Sequence, residues 1–299
     1  MNQYQQQFKE DIFSGIVELI KAIWQPIFIG YVLYFAFTKL MTFGFLKFLG
    51  YNNIEEFTEY YSTVMLDQDA MMDWIMELKE KVLQPETLLY FIIGIILFFL
   101  VMSWSYFFSF RIANNEIKES KIDVVKSLKE SLSGKLFGLI GLCVLNALVI
   151  WGAMILAILI GAATSPFLLI ILMPISFFIG LKFFLSFPAY TLGNRSIKDA
   201  IAFSLEHLNT GRVLKMAVIG FGVMLGFFIL SALLQQIAQL MRSVPLTYFI
   251  VKTIFEFISG GMMLAVIVAS FTGLYYRYED SIDGEADISI EDHLIENDY

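Results

Sequence analysis

Six stretches of this chain are apolar for about 20 residues or more, the length at which a helix rising 1.5 Å per residue crosses a bilayer. They cover 24–46, 87–110, 136–161, 166–190, 216–236 and 257–276. The second, third and fifth carry no charged side chain, whereas Lys39 interrupts the first and Lys182 the fourth. Between them the pattern turns amphipathic. Ile122, Val125, Leu128 and Leu132 recur at helical spacing with Asp123, Lys126, Lys129 and Glu130 opposite; Ile197, Ile201, Leu205 and Leu208 do the same against Lys198, Asp199 and Glu206. Phe8, Ile12, Ile16, Leu19 and Ile23 make a third such face, and Met71, Ile75, Leu78 and Val82 a fourth, with Trp74 beside it. The pattern predicts an all-α integral membrane protein of six transmembrane helices, joined by amphipathic elbow helices that lie in the interface. Gly134 and Gly211 are expected to end the elbows in the left-handed conformation, and Pro26 to set the entry into the first span.

Charge gives these spans a direction. The connector 111–135 carries Arg111, Lys118, Lys121, Lys126, Lys129 and Lys135, and the connector 191–215 carries Arg195, Lys198, Arg212 and Lys215. The turn 162–166 has no base, 237–250 holds only Arg242 outside the terminal spans, and 47–86 has three lysines against nine acids. Basic loops stay in the cytoplasm, so both basic connectors and both termini belong inside, and 47–86 outside. The organisation expected is one membrane domain, 1–276, with an interfacial helix over 1–23 and an extracytoplasmic excursion over 47–86. An acidic cytoplasmic tail, 277–299, follows. That tail holds one arginine and nine acids, which equals the whole chain's net charge of −8. It reads either as a solvated, disordered segment or as a docking strand for a basic partner.

Composition supports the class and excludes others. The chain is 58% hydrophobic and 16% charged, against roughly 25% charged in soluble domains. Its apolar content argues against disorder, its single cysteine, Cys143, against a disulfide scaffold, and its acidic balance against a nucleic-acid binder. Cys143 reads as a small buried apolar residue, and Gly260-Gly261 as a site of close helix packing.

Shifting the chain by 77 residues aligns 103–141 with 180–218 without a gap. Phe107-Phe108-Ser109-Phe110 falls on Phe184-Leu185-Ser186-Phe187, Ser127-Leu128 on Ser204-Leu205, and Gly134-Lys135-Leu136 on Gly211-Arg212-Val213. Two units of the same orientation make a parallel internal repeat. The six-helix layout, with Asp199-Ala200-Ile201-Ala202-Phe203-Ser204-Leu205 leading to Gly211-Arg212-Val213-Leu214, resembles the poorly characterised bacterial membrane proteins of the YciC type. It also looks like the membrane domain attached to some glycerophosphodiester phosphodiesterases. The resemblance covers about 90–276. It implies a multi-pass scaffold of the bacterial inner membrane and supplies no catalytic residues.

No zinc-protease, Walker, nucleophile-elbow or cysteine-cluster motif occurs, and the only histidines are His207 and His293. The expected function is therefore a non-enzymatic scaffold or accessory subunit of a membrane complex, without cofactor or metal. Its partners would be membrane lipids and proteins docking on Asp280–Tyr299 or on 51–85. The methionines of the excursion suggest adaptable packing more than a soft-metal site. The alternative is a transporter or lipid-handling protein. Polar residues at membrane depth are costly and often functional. Lys182, Asn146, Ser103 and Ser105 are candidates to line a cytoplasm-facing cavity for an anionic headgroup, with carbonyls freed by Pro174 and Pro188 within a lysine's reach. The competing reading is that Lys182 simply extends to the interface.

Overall fold

In hydrocarbon a backbone can satisfy its own polar groups only as a helix or a closed barrel, and here every described element is a helix. The structure is a computed structural model. It describes residues 3–64, 68–163, 172, 175–176, 179–208, 210–241 and 244–295. The elements are α1 (Gln3–Glu10), α2 (Ile12–Leu49), α3 (Ile54–Val64), α4 (Gln68–Val82), α5 (Pro85–Glu119), α6 (Val124–Ser131), α7 (Lys135–Ala163), α8 (Ser186–Thr191), α9 (Ile197–His207), α10 (Thr210–Gln239) and α11 (Pro245–Ile295).

Four helical stretches are long and apolar enough to cross a membrane: Ile12–Leu49, Thr87–Glu119, Lys135–Ile160 and Thr247–Glu279. This is the make-up of an all-α membrane protein. The stretch expected at 216–236 lies in α10, which contains the shorter apolar segment Leu225–Gln239. Most of the stretch expected at 166–190, Pro174 included, falls outside the described residues, as do the side chains of Arg212, Lys215, Arg242 and 280–299.

The chain divides into two compact units, Met1–Tyr31 with Tyr106–Tyr299, and Val32–Ser105. Within the smaller unit the later part of α2 meets the first part of α5 through aromatic edges, Phe45 and Phe48 lying 5.9 and 5.8 Å from Phe91. Here α3 and α4 pack together, Tyr61 set edge-on to Trp74 at 5.8 Å. An open apolar groove of about 350 Å³ runs between Met41, Gly44, Phe48, Thr87 and Phe91.

In the larger unit α11 is the central post, with α1, α8 and α10 packed against it. Close approach needs small residues. Gly260 faces the Tyr31 hydroxyl and Gly261 the Phe28 ring so tightly that a Cβ on either would overlap them, as expected of this pair. Cys143 is buried.

Several boundaries differ from the sequence pattern. The break near the N-terminus is at Asp11, whose carboxylate accepts the Phe13 N–H at 3.0 Å, while α2 runs straight through Pro26. The α5 helix continues past residue 110 to Glu119. Gly134 and Gly211 do not end the elbows in a left-handed turn. Gly211 lies inside α10, and among the described residues the left-handed ones are Ser120 (φ 49°), Asn194 (φ 54°) and Gly50 (φ 95°). The reversal thus occurs where the chain enters each elbow, after α5 and after α8. Asn is one of the few residues besides Gly that adopt that conformation readily. Finally, α11 extends into the acidic segment as far as Ile295, rather than stopping at the end of the apolar run.

Candidate functional site: a polar junction at the elbows

The last third of α5 mixes large apolar side chains with polar and charged ones. Phe107, Phe108, Phe110, Ile112, Ala113 and Ile117 are all buried to within 1%. Their positions fall all round the helix, so this stretch is enclosed by protein. Two asparagines sit in the same buried stretch, and each has a partner. Asn114 Oδ1 accepts from the Tyr276 hydroxyl of α11 at 2.6 Å, a fully buried bond. Asn115 donates through Nδ2 to Ser127 Oγ of α6 at 2.9 Å, and Ser127 in turn donates to the Asp123 carbonyl. The next residue, Glu116, accepts from Tyr4 of α1 at 3.0 Å. Burial, then this carboxylate, push the Tyr4 phenol up to about 12.

The N-terminal helix is held by a second contact. The Phe8 ring is fully buried and occupies the space left by Gly15 and Gly273, where Cβ atoms would approach it to 2.6 and 3.0 Å. Thus α1 is pinned to α5 by a phenol and to α11 by a ring.

The first elbow, α6, is capped by Asp123, whose Oδ1 accepts the Lys126 N–H at 2.8 Å. Its inward face consists of Ser127 and Ser131, both buried, whereas Val125, Leu128 and Leu132 are 62, 39 and 65% exposed. The apolar face of this amphipathic helix is therefore turned outward, as an interfacial helix with its greasy side in lipid would be. Lys126 reaches back to Glu119, a bond that raises its pKa. The second elbow, α9, is capped by Ser196; it buries Ala200, Phe203 and Ser204 and exposes Ile197 and Leu205. Arg195 stacks over Phe203 at 4.6 Å. His207 also stacks on that ring, 4.3 Å centroid to centroid, with its Nδ1 2.9 Å from the Phe203 carbonyl oxygen.

Ser204 explains how the second elbow is attached. Pro188 has no N–H, and its ring crowds the carbonyl four residues before it. The backbone ahead of it tightens into bonds three residues apart, from Lys182 to Ile179 through Phe187 to Phe184. Ser186 N–H thereby goes to Phe183 instead of Lys182. The Lys182 carbonyl, left over, accepts from the Ser204 hydroxyl at 2.6 Å. The sequence reading expected such a carbonyl to take a lysine; it takes a serine.

Of the four candidate cavity residues, Asn146 and Lys182 belong to the larger unit, Ser103 and Ser105 to the smaller. Asn146, Ser103 and Ser105 are buried and Lys182 is half-buried. Asn146 Oδ1 and Ser103 Oγ are enclosed without a hydrogen-bond partner. The junction at Asn114, Asn115, Glu116 and Tyr276 was not anticipated. Two adjacent asparagines following the apolar run were the available signal. Among the described residues, no group of three or more His, Cys, Asp or Glu side chains is arranged to hold a metal. No protein-family model, no curated protein and no solved structure matches the chain.

Proposed function

We propose that this chain is a non-enzymatic scaffold or accessory subunit of a membrane complex. In this reading it crosses the bacterial cytoplasmic membrane six times, with both termini and the elbows in the cytoplasm. The observation that carries the proposal is the surface of α4. Met72 and Met76, one turn apart, are 57 and 54% exposed, and Leu83 just beyond is 58% exposed. They lie between the long apolar helices, in a segment rich in acids that charge placement puts outside. Exposed thioethers on a helix already packed against its neighbour form an adaptable contact surface. The partner is another membrane protein meeting the 51–85 hairpin. Replacing Met72 and Met76 with Glu should abolish co-purification of that partner from mild detergent while the protein itself accumulates normally. Unchanged co-purification, also after deletion of 51–85 and of 277–299, would sink the proposal.

The matched serines support the duplication. Ser127 and Ser204, equivalent under the 77-residue shift, are both fully buried, and both tie an elbow back to polar groups of the preceding segment.

A lipid-handling or transport role is the second reading. It is favoured by the unsatisfied Asn146 and Ser103 oxygens at apolar depth and by the outward apolar faces of both elbows. Within the larger unit it requires Lys182 and Asn146 to take part in binding an anionic headgroup. Lys182→Leu should then remove co-purifying lipid; retention of the same lipid would contradict it.

A further inference from the structure

Arg111 stands near the end of α5, at the beginning of the buried polar stretch. Its guanidinium lies over the Phe107 ring at 5.2 Å, and its side chain is only 17% exposed. A guanidinium has five N–H donors and always carries its charge. Here its carboxylate partner is Glu130, with Nη1 3.6 Å from Oε2, beyond hydrogen-bonding distance. Nε is enclosed with no acceptor from the protein, and Glu130 Oε2 likewise lacks a hydrogen bond. A buried cation so loosely matched is costly.

A second cation is directed at the same neighbourhood. Lys135 opens α7, where the helix's own N–H groups already carry partial positive charge, and it lies within electrostatic reach of Arg111. Lys135 Nζ donates to Asn194 Oδ1. An ammonium can only donate, so this contact fixes the amide orientation and leaves Asn194 Nδ2 as a further donor. The left-handed backbone of Asn194 carries that amide from the second connector to the first. Two cations and an amide from three separate segments therefore converge, with one loosely engaged carboxylate to offset them.

We propose that Arg111, Lys135 and Asn194 form a binding site for a phosphate group where the two elbow connectors meet. Planar guanidinium and amide donors match phosphate oxygens, and Lys135 adds a point charge. Both Arg111 and Lys135 lie where a long apolar helix turns polar, which is the level of lipid headgroups. The phosphodiester of an anionic phospholipid and a free phosphate present the same chemistry to these donors. This site is separate from the Lys182 group, and it does not depend on the scaffold reading: either kind of protein can carry it.

The test uses the full chain in detergent, titrated separately with dioctanoyl phosphatidylglycerol and with inorganic phosphate, reading thermal stabilisation. The variants are Arg111→Gln with Lys135→Gln, and, as a control of equal charge change, Lys121→Gln with Lys129→Gln. Affinity should fall by about tenfold or more in the site variant, the size of one lost charge-assisted bond. It should stay within about twofold in the control. Stabilisation by the lipid alone identifies a headgroup site; stabilisation by phosphate identifies a soluble phosphate group. Should the site variant fail to fold, Asn194→Asp preserves size and tolerates the same backbone, and it should weaken the same ligand. Absence of binding by the unsubstituted protein, or equal binding by site and control variants, overturns the proposal.

Discussion

The two ends of α5 both carry large apolar side chains and have opposite environments. Along 88–97, Leu89, Tyr90, Ile92 and Ile96 are 57, 75, 54 and 61% exposed. Along 107–117, residues of the same character are sealed from solvent, and Asn114, Asn115 and Glu116 are anchored to three other helices. The large apolar side chains by themselves do not tell the two ends apart, because lipid and a protein core are both apolar. The difference is that lipid provides no hydrogen-bond partners. Buried amides therefore mark the end that packs against protein, whereas the end without them is free to face lipid.

That contrast can be broken most forcefully with one truncation at each end. Phe108→Ala, at a fully buried ring, should cost about 3–5 kcal/mol and lower the melting temperature in detergent sharply. Ile96→Ala, at a side chain 61% exposed, should stay within about 0.5 kcal/mol. The glycines give a second pair of the same kind. Gly260→Val would drive its side chain into Tyr31, whereas Gly152→Val meets nothing within 4 Å. The first should destabilise by about 1–3 kcal/mol and reduce the folded fraction in size-exclusion chromatography; the second should elute unchanged.

Smaller effects sharpen the boundary of the packed region. Ser204→Ala leaves the Lys182 carbonyl without its donor and should cost about 1–2 kcal/mol, read as faster proteolysis within 192–208. Tyr4→Phe removes only a half-exposed bond to Glu116; it should leave the melting temperature nearly unchanged and speed tryptic cleavage at Lys9. This contact also has a pH signature. The Tyr4 pKa is raised from 10.0 to about 12, so its contribution is complete below pH 10 and is lost as pH climbs toward 12. Release of the N-terminal helix over that window, absent in Tyr4→Phe, is the expected outcome.

The helical class and four of the long apolar helices were legible in the sequence, because a run of about 20 apolar residues has few alternatives. So was the close packing at Gly260-Gly261, which no other role of that pair fits as well. The polar junction was not legible. Asn114 and Tyr276 are separated by 162 positions, and no local spacing connects them. Residues 111–119 were assigned to a connector because Arg111 and Lys118 follow the apolar run, yet they continue α5, with Asn114, Asn115 and Glu116 bonded to other helices. Arg111 illustrates the same point: counted among the bases of the cytoplasmic connector, it lies on α5 and is largely enclosed. The elbow glycines misled for a different reason. Left-handed turns favour glycine but also accept Asn, and the chain places Asn194, and at the first elbow Ser120, at the entries instead.

The central claim is that the buried amide contacts at the elbow end, rather than the apolar length of the spans, hold this protein together. A double-mutant cycle tests it most directly, using Asn114→Leu, Tyr276→Phe and the pair, with unfolding followed in detergent. The two residues share a bond of 2.6 Å in a fully buried setting. The account predicts a coupling of about 1–3 kcal/mol, each single change being nearly as damaging as both together. Additive effects, or single changes no worse than Ile96→Ala, would contradict it.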